Sequence, residues 1–169
     1  MIIEEFIVLL AIYLVPMYIA NATPIILHGK KPVDFGKKIN GKRILGDGKT
    51  ILGALFGIIV GTIAGFILYY LLSPIFALPN PLLLALLLSA GAIIGDMAKS
   101  FFKRRLGFES GARLPVFDQI DFIIGGLIFS LVIRFPEIEV VIFLLVATVF
   151  IHTITNLIAY KLKLKKVPW

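Results

Sequence analysis

Five long apolar runs constrain this 169-residue chain more than any other feature. The breaks between them carry Pro, Gly or charged residues, and the runs cover residues 2–22, 50–72, 81–102, 117–135 and 140–160. A helix of about 20 residues crosses the ~30 Å hydrocarbon core of a bilayer. The runs therefore predict an all-α polytopic membrane protein with five transmembrane helices, folded as one membrane-embedded domain over residues 1–169.

The composition of the chain supports a membrane protein. Apolar residues make up 59% of the chain and charged residues 16%, whereas a soluble domain is about half apolar and about a quarter charged. The chain has no cysteine, which excludes disulfides and thiolate metal ligands. The first run has Glu4 and Glu5 at its start and no basic segment before it, so we interpret it as a retained helix rather than a cleaved signal.

The basic residues lie almost entirely on one side of the predicted bundle. Residues 30–49 carry seven, residues 99–113 carry five and the C-terminal tail carries four, which leaves only Arg134 on the other side. By the positive-inside rule we expect the N-terminus outside and the C-terminus in the cytoplasm, with loops 23–49 and 103–116 forming a small cytoplasmic cap. Charge in such short loops favours anionic headgroups or a phosphorylated substrate over nucleic acid.

Three aspartates and several cations are expected to meet at the cytoplasmic end of the third and fourth runs. Asp96, Lys99 and Lys103 are spaced to share one helix face. Asp118 and Asp121 share a face at the start of the next run. A short loop joins the two helices, so we predict antiparallel neighbours with three carboxylates at one depth, a donor set that suits Mg²⁺. Two alternatives are simple pairing of each aspartate with a cation and a role for Asp118 as an N-cap.

A glycine-rich segment, RILGDGKT at residues 43–50, leads into the second run. Backbone N–H groups together with a lysine and a threonine at a helix N-terminus are typical of phosphate-binding sites. The segment is not a Walker A loop, because Arg43 stands where that pattern needs glycine. The alternative is a glycine-rich turn that only caps the second helix. The candidate substrate-binding residues here are Arg43, Gly46, Asp47, Gly48, Lys49 and Thr50.

Several other polar residues lie in or beside the apolar runs. Asn21, in the motif NATP, is interpreted either as a ligand contact or as the end of the first helix. His28 and His152 are interpreted as structural. Asn156 follows His152 by one helical turn, so we expect the two side chains to hydrogen-bond.

The second run carries a glycine at every fourth position: Gly53, Gly57, Gly61 and Gly65. This spacing lines one helix face with glycine and lets a neighbouring backbone approach closely. We interpret the face as a packing surface, used either inside the bundle or across a homodimer.

The motifs, taken in order, resemble a known family. NATP, RILGDGKT, GDMAKSFFKRRLG and LPVFDQID are similar to segments of the CTP-dependent phosphatidate cytidylyltransferases, and above all of their small archaeal relatives, the CDP-archaeol synthases. The match extends over nearly the whole chain. The shared Ser-x-x-Lys-Arg element is Ser100, Lys103 and Arg104, and the Asp-x-x-Asp element is Asp118 and Asp121. The His-Gly-Gly, Lys-Asp and Asp-Arg elements of the bacterial and eukaryotic enzymes are absent, which favours the archaeal branch.

The resemblance implies transfer of CMP from CTP to an isoprenoid ether-lipid phosphate in phospholipid biosynthesis, with release of pyrophosphate and Mg²⁺ as cofactor. A phosphomonoester is largely ionised at neutral pH, so no general base is required. The implied metal ligands are Asp96, Asp118 and Asp121. The implied catalytic residues are Lys99, Lys103, Arg104, Asp118 and Asp121. The implied substrate-binding residues are Asn21, Ser100 and six residues of the glycine-rich segment: Arg43, Gly46, Asp47, Gly48, Lys49 and Thr50.

Two other functions are alternatives. A CDP-alcohol phosphatidyltransferase is also a small metal-dependent membrane enzyme, but it needs an Asp-Gly-x-x-Ala-Arg run, which this chain lacks. A small cation transporter or channel would use intramembrane aspartates as an ion path. An ion path requires polar residues through the whole depth of the bundle, whereas in this chain the polar residues lie at one end.

Overall fold

The computed structural model describes residues 3–72, 74–75, 77–109, 112, 114 and 116–163. Arg113, Lys165 and Lys166, which contribute to the basic asymmetry, lie outside these residues. The five predicted helices are present, with a small hairpin in the first long loop. In chain order the elements are α1 (Ile3–Ile26), β1 (Lys38–Ile39), β2 (Lys42–Arg43), α2 (Ile51–Leu72), α3 (Pro81–Arg105), α4 (Phe117–Ser130) and α5 (Ile138–Lys161).

Helix α4 is shorter than its predicted span. Of the described helices, α1, α2, α3 and α5 are long and apolar enough to cross a membrane. Helix α4 has 14 residues, or ~21 Å at 1.5 Å per residue, and the predicted end at residue 135 is wrong. The chain turns at residues 131–133. The Tyr13 hydroxyl donates to the Arg134 carbonyl oxygen at 2.6 Å, which ties the segment after this turn to α1.

Helix α1 runs past its predicted end at residue 22. It continues through Pro24 to Ile26, so the interpretation of Asn21 as a helix terminus is wrong. The Thr23 hydroxyl donates to the Ile19 carbonyl oxygen at 2.6 Å, so this polar group is satisfied within the helix itself. Asn21 lies within the last two turns of α1.

The glycine face of α2 is buried against α1 and α3. A Cβ at Gly57 would lie 2.7 Å from the Ala20 carbonyl oxygen, and one at Gly61 would lie 2.6 Å from Ser89 Oγ. A Cβ atom essentially never comes this close to a neighbour, so only glycine permits the observed helix separation. The face packs inside the bundle, which is one of the two predicted uses.

Helices α3 and α4 are neighbours that approach each other through glycines the sequence analysis did not use. A Cβ at Gly95 would lie 2.4 Å from the Asp121 carbonyl oxygen, and one at Gly125 would lie 2.2 Å from that of Gly91. Such contact between backbones leaves adjacent side chains little freedom of position. It sets Asp96 beside the first turns of α4.

The buried core lies between α1, α3, α4 and α5. Tyr13, Met17, Leu88 and Phe122 are fully buried there. Large apolar side chains on the outward faces of α2 and α5 stay exposed. Extended exposed apolar surface is typical of a face that contacts lipid, so the packing agrees with a multi-pass membrane protein.

The first long loop folds against the end of α3. Its hairpin pairs Lys38 with Arg43 and Ile39 with Lys42. Arg105, the last residue of α3, donates to the carbonyl oxygens of Ile39, Lys42 and Arg43 at 2.9, 3.3 and 2.6 Å. These bonds fix the loop across the end of the bundle that carries the predicted site residues.

Candidate active site

A cavity of about 740 Å³ opens at the loop-bearing end of the bundle. Its wall is formed by the loop-side turns of α1, α3 and α5, by the first turns of α2 and α4, and by the loop residues before α2. Most of the predicted site residues meet there. Those that line the cavity are Asn21, Gly46, Gly48, Lys49, Thr50, Asp96, Lys99, Ser100, Lys103, Arg104 and Asp118.

Three aspartates converge on the ammonium group of Lys99. Its Nζ lies 3.2 Å from Asp96 Oδ1, 3.4 Å from Asp118 Oδ1 and 2.8 Å from Asp121 Oδ2. Lys99 and Asp96 belong to α3, whereas the other two aspartates belong to α4. The close packing of these helices at Gly95 brings the carboxylates to one point, as their spacing in the sequence predicts.

Two further lysines complete a network of alternating charge. Lys49, from the loop before α2, pairs with the second carboxylate oxygen of Asp96. Lys103 Nζ donates to both oxygens of Asp118 at 3.0 and 3.1 Å and also to the Ala112 carbonyl oxygen. Three ammonium groups therefore offset three carboxylates. This arrangement matches the predicted alternative in which each aspartate simply pairs with a cation.

The predicted metal ligands differ in their access to the cavity. Asp96 and Asp118 line it, whereas Asp121 does not and has only 9% of its side chain exposed. The residues that the structure describes hold no group of three or more His, Cys, Asp or Glu side chains arranged around a metal position. The Lys99 ammonium occupies the point on which the carboxylates converge. A metal role for the three aspartates stays a prediction.

Two hydroxyl groups in the cavity wall already have partners. Ser100 Oγ donates to the Asp96 carbonyl oxygen at 2.9 Å. Thr50 Oγ1 accepts the N–H groups of Gly29 and Gly53, both at 3.2 Å. An acceptor for the N–H three residues into a helix is what an N-cap supplies. Thr50 therefore caps α2, which agrees with the capping alternative for this residue.

Arg104 has spare hydrogen-bonding capacity beside the cavity. It lines the cavity wall and is 8% exposed. One guanidinium nitrogen donates to the Phe108 carbonyl oxygen, but the buried Nε–H has no hydrogen-bond partner within the described part of the chain. A buried unpaired donor costs about 1–3 kcal/mol. The Arg104 side chain thus places a guanidinium charge at the cavity wall.

Asp118 is not the N-cap of α4, so that alternative is wrong. Val116 holds the N-cap position with φ 67°, and among the described residues no side chain makes a cap hydrogen bond to α4. Asp118 Oδ2 accepts the Leu114 N–H at 2.7 Å in addition to its bond from Lys103. The Asp118 carboxylate therefore ties the α3–α4 connection to the charged network.

Arg43 and Asp47, two predicted substrate-binding residues, do not line the cavity. The Arg43 guanidinium pairs with Asp47, which is 84% exposed, and with buried Asp34 at 2.7 Å. Burial alone would raise the pKa of Asp34. Hydrogen bonds from Arg43 and three backbone N–H groups outweigh burial and hold that pKa well below its usual range. The two carboxylates in turn raise the pKa of Arg43, so the guanidinium is committed to the loop.

The α5 side of the cavity is polar, and its place in the site was not predicted from the sequence. Its residues are His152, Thr155 and Asn156, and Gln119 of α4 also lines the cavity. His152 Nδ1 and Asn156 Nδ2 are 2.9 Å apart, which confirms the predicted hydrogen bond. The available signal was the i, i+3, i+4 spacing of the three α5 residues, which puts them on one helix face.

Comparisons with known proteins point to one family. Residues 3–169 match the model of the CarS-like family, described as CDP-archaeol synthase. A CDP-archaeol synthase of Pyrococcus horikoshii is 46% identical over 159 residues, which cover 93% of this chain and 94% of the relative. One of Methanocaldococcus jannaschii is 43% identical over 168 residues with the same coverage. One of Sulfolobus acidocaldarius is 39% identical over 160 residues, covering 94% of this chain and 95% of the relative.

The fold is also similar to a solved structure, described as an intramembrane enzyme for archaeal membrane lipids biosynthesis. The two chains are 37% identical and superpose with a TM-score of 0.79. The similarity covers 86% of this chain and 91% of the other. It therefore includes most of the helical bundle rather than one motif.

Proposed function

The chain belongs to the CDP-archaeol synthase family and is a CTP-dependent nucleotidyltransferase of the membrane, and we propose that its acceptor is 2,3-bis-O-geranylgeranylglycerol 1-phosphate. The products are CDP-archaeol and pyrophosphate. The observation that most supports this is a single cavity, at one end of a membrane bundle, in which Lys49, Lys99, Lys103 and Arg104 stand beside aspartates. Family membership does not support the transporter alternative.

The reaction requires neutralisation of phosphate charge and does not require a general base. An oxygen of the lipid phosphate attacks the α-phosphorus of CTP, and the new P–O bond forms as the bond to pyrophosphate breaks. A phosphomonoester has a second pKa of about 6, so the nucleophile is already ionised at neutral pH. The difficulty is bringing two polyanions together. Cations held in place before the reaction lower that cost and stabilise the charge on the leaving pyrophosphate.

The cavity wall supplies those cations in two groups. Lys99, Lys103 and Arg104 come from α3 and would hold the reacting phosphates. Lys49 and the backbone of residues 46–50, together with Asn21, would hold the nucleotide. A Cβ atom at Gly48 would meet nothing within 4 Å, so a phosphate has room to approach the loop backbone there.

We assign Mg²⁺ as the cofactor, held by Asp96, Asp118 and Asp121. The donor chemistry fits, because three carboxylates already converge on one cation, the Lys99 ammonium. Mg²⁺ usually takes one or two protein carboxylates and completes its coordination with substrate phosphates and water. Asp96 and Asp118 line the cavity and match that pattern. When bound, the ion would neutralise phosphate charge.

We place the active site at the cytoplasmic face of the cell membrane. The support is the distribution of basic residues, 16 of 17 of which lie on the loop side by sequence. Because the chain has no cysteine, Lys38→Cys and Pro79→Cys each give a single labelling position, and both positions are exposed. An impermeant thiol reagent should reach position 79 from outside and position 38 only from the cytoplasm. Labelling of both from one side would contradict the orientation.

The glycine face of α2, which suggested a homodimer, packs inside the bundle and therefore gives a homodimer no support.

A nucleotide-incorporation assay tests the proposed function. Purified protein receives Mg²⁺, labelled CTP and either an isoprenoid ether-lipid phosphate or a diacyl phosphatidate at equal concentration. We expect a CDP-lipid from the isoprenoid acceptor, formed faster than from the diacyl lipid. Absence of a CDP-lipid with both acceptors would refute the proposal, while equal rates would refute the assigned acceptor.

A further inference from the structure

One loop carboxylate, that of Asp34, accepts five hydrogen bonds. Its Oδ1 accepts the Gly36 N–H at 3.1 Å and Arg43 Nη2 at 2.7 Å. Its Oδ2 accepts Arg43 Nε at 3.3 Å, the Leu45 N–H at 3.0 Å and the Gly46 N–H at 3.3 Å. Only 1% of the side chain is exposed. One guanidinium and three backbone donors therefore satisfy both oxygens of a buried charge.

The groups that Asp34 holds belong to the cavity wall. Leu45 and Gly46 line the cavity. Gly46 has φ 106°, which favours glycine, and its carbonyl oxygen accepts the Lys49 N–H at 3.4 Å. Lys49 in turn pairs with Asp96 in the charged network. A continuous set of contacts leads from Asp34 to the Lys49 ammonium.

This arrangement also occupies Arg43. Its guanidinium lies between Asp34 and Asp47, and its carbonyl oxygen accepts from Arg105 at 2.6 Å. A planar guanidinium that makes two bonds to one carboxylate is held by geometry as well as by charge. The arginine of the glycine-rich segment is thus bound to the loop itself and lies off the cavity wall.

The position of the loop indicates which substrate it serves. It crosses the open end of the bundle, beyond the end of α3, where Arg105 holds it. A water-soluble nucleotide reaches the cavity from that end, whereas the phosphate of an embedded lipid arrives at the level of the helices. The loop therefore meets the nucleotide first.

We propose that Asp34 is the positioning residue of the nucleotide-binding loop: it holds Leu45, Gly46 and Arg43 in place and thereby sets Lys49 for the triphosphate of CTP. The inference rests on the proposed use of CTP. It also assigns Arg43 to the support of the loop and not to phosphate contact. If the loop had only a structural role, a substitution at Asp34 would lower stability or would raise the KM values for both substrates alike.

Steady-state kinetics of Asp34→Asn test the assignment, since this change keeps the side-chain shape and removes the charge. We expect the apparent KM for CTP to rise at least about tenfold, while kcat and the KM for the lipid phosphate stay within about threefold of wild type. The matched control is Glu139→Gln, at an exposed carboxylate in the first turn of α5, which should change none of the three constants. An unchanged KM for CTP, or equal rises for both substrates, would overturn the proposal.

A double-mutant cycle separates support of the loop from direct phosphate contact. If Arg43 acts through Asp34, the Asp34→Asn/Arg43→Gln pair should raise the KM for CTP no more than the larger single change. Effects that multiply would show that Arg43 contacts the phosphate, against the proposal. Asp34→Glu keeps the charge and should recover part of the affinity for CTP.

Hydrogen exchange gives a readout that needs no turnover. In nucleotide-free protein, Asp34→Asn should speed exchange at the Leu45 and Gly46 amides at least about tenfold and leave the amides of α3 at wild-type rates. Wild-type rates at both loop amides would overturn the proposal. If the wild-type protein forms no CDP-lipid, the proposed function fails, and this measurement still decides whether Asp34 holds the loop.

Discussion

The two regions of the cavity that we propose to bind phosphate are positioned by different forces. The α3–α4 wall is set by direct contact between helix backbones, where a Cβ at Gly95 would lie 2.4 Å from the Asp121 carbonyl oxygen. The loop at residues 43–50 is held by hydrogen bonds to buried Asp34 and from Arg105. The α3–α4 wall is therefore fixed by packing. The position of the loop depends instead on one buried charge and a few hydrogen-bond donors.

This difference predicts how each region responds to substitution. In the proposed function the charged side chains of the wall surround the reacting phosphates, so changes there should lower the rate of the chemical step. The loop contributes one ammonium group and a stretch of backbone, so changes there should weaken the binding of one substrate. Each prediction below tests that division.

The largest effect is expected at the aspartates of the wall. Asp118→Asn and Asp121→Asn keep the side-chain shape and remove a charge, and each should reduce Mg²⁺-dependent kcat by far more than tenfold, or ~1.4 kcal/mol. Asp118→Asn should be the more severe, because Asp118 lines the cavity and bonds to Lys103 and Leu114. Turnover is measured on protein whose fold in detergent is checked by thermal unfolding. Both variants keeping more than about a tenth of activity would remove these residues from the centre of the site.

The next effect concerns packing. Gly95→Ala forces a methyl group against the backbone of α4 and should lower the free energy of unfolding by ~1–3 kcal/mol, as overpacking does. Gly48→Ala is the matched control in the loop, since a Cβ there meets nothing within 4 Å. Thermal unfolding in detergent should separate the two variants. An equal shift of Tm in both would show that the wall is no more tightly determined than the loop.

A smaller effect is expected from the loop lysine. Lys49→Ala removes one ammonium group near the triphosphate and should raise the KM for CTP by about tenfold, with a lesser effect on the KM for lipid. The control is Lys38→Ala, which changes an exposed hairpin lysine outside the cavity wall. If CTP kinetics are unchanged in Lys49→Ala, residues 43–50 serve only to cap α2.

The smallest effect is the response of the loop to pH. Folding lowers the pKa of Asp34, so its stabilising contribution is complete above the unfolded pKa of about 3.9 and is lost only as pH falls from there towards the folded value. The amide NMR signals of Leu45 and Gly46 should therefore show no titration by Asp34 between about pH 5 and 8. A midpoint within that window that disappears in Asp34→Asn would mean that the carboxylate is not held as described.

The charged wall was the part of the site that could best be predicted from the sequence. Helical spacing puts Asp96 and Lys99 on one face, and a short connection to Asp118 and Asp121 makes the two helices neighbours. These are local relations, so no knowledge of the tertiary packing is needed. Gly95 was visible too, but its role depends on which backbone lies opposite.

The features that were missed depend on distant contacts. Apart from Arg134 the sequence stays apolar to residue 135, and the earlier end of α4 follows from the turn at residues 131–133, after which Tyr13 holds the Arg134 carbonyl oxygen. Asp34 sits among lysines in a loop, where an acid is usually exposed, and its burial follows from how that loop closes. His152 and Asn156 were paired correctly, but their place in the cavity wall depends on how α5 packs against the bundle.

The fate of two labels in CTP tests the central claim most directly. Purified protein in detergent micelles, which offer no second compartment, receives Mg²⁺, an isoprenoid ether-lipid phosphate and CTP labelled at the α- or the γ-phosphorus. A nucleotidyltransferase site in the charged cavity predicts that the α label enters the lipid and the γ label enters pyrophosphate, in equal amounts. Retention of both labels in CTP, together with Asp96-dependent cation flux in sealed vesicles, would contradict the account.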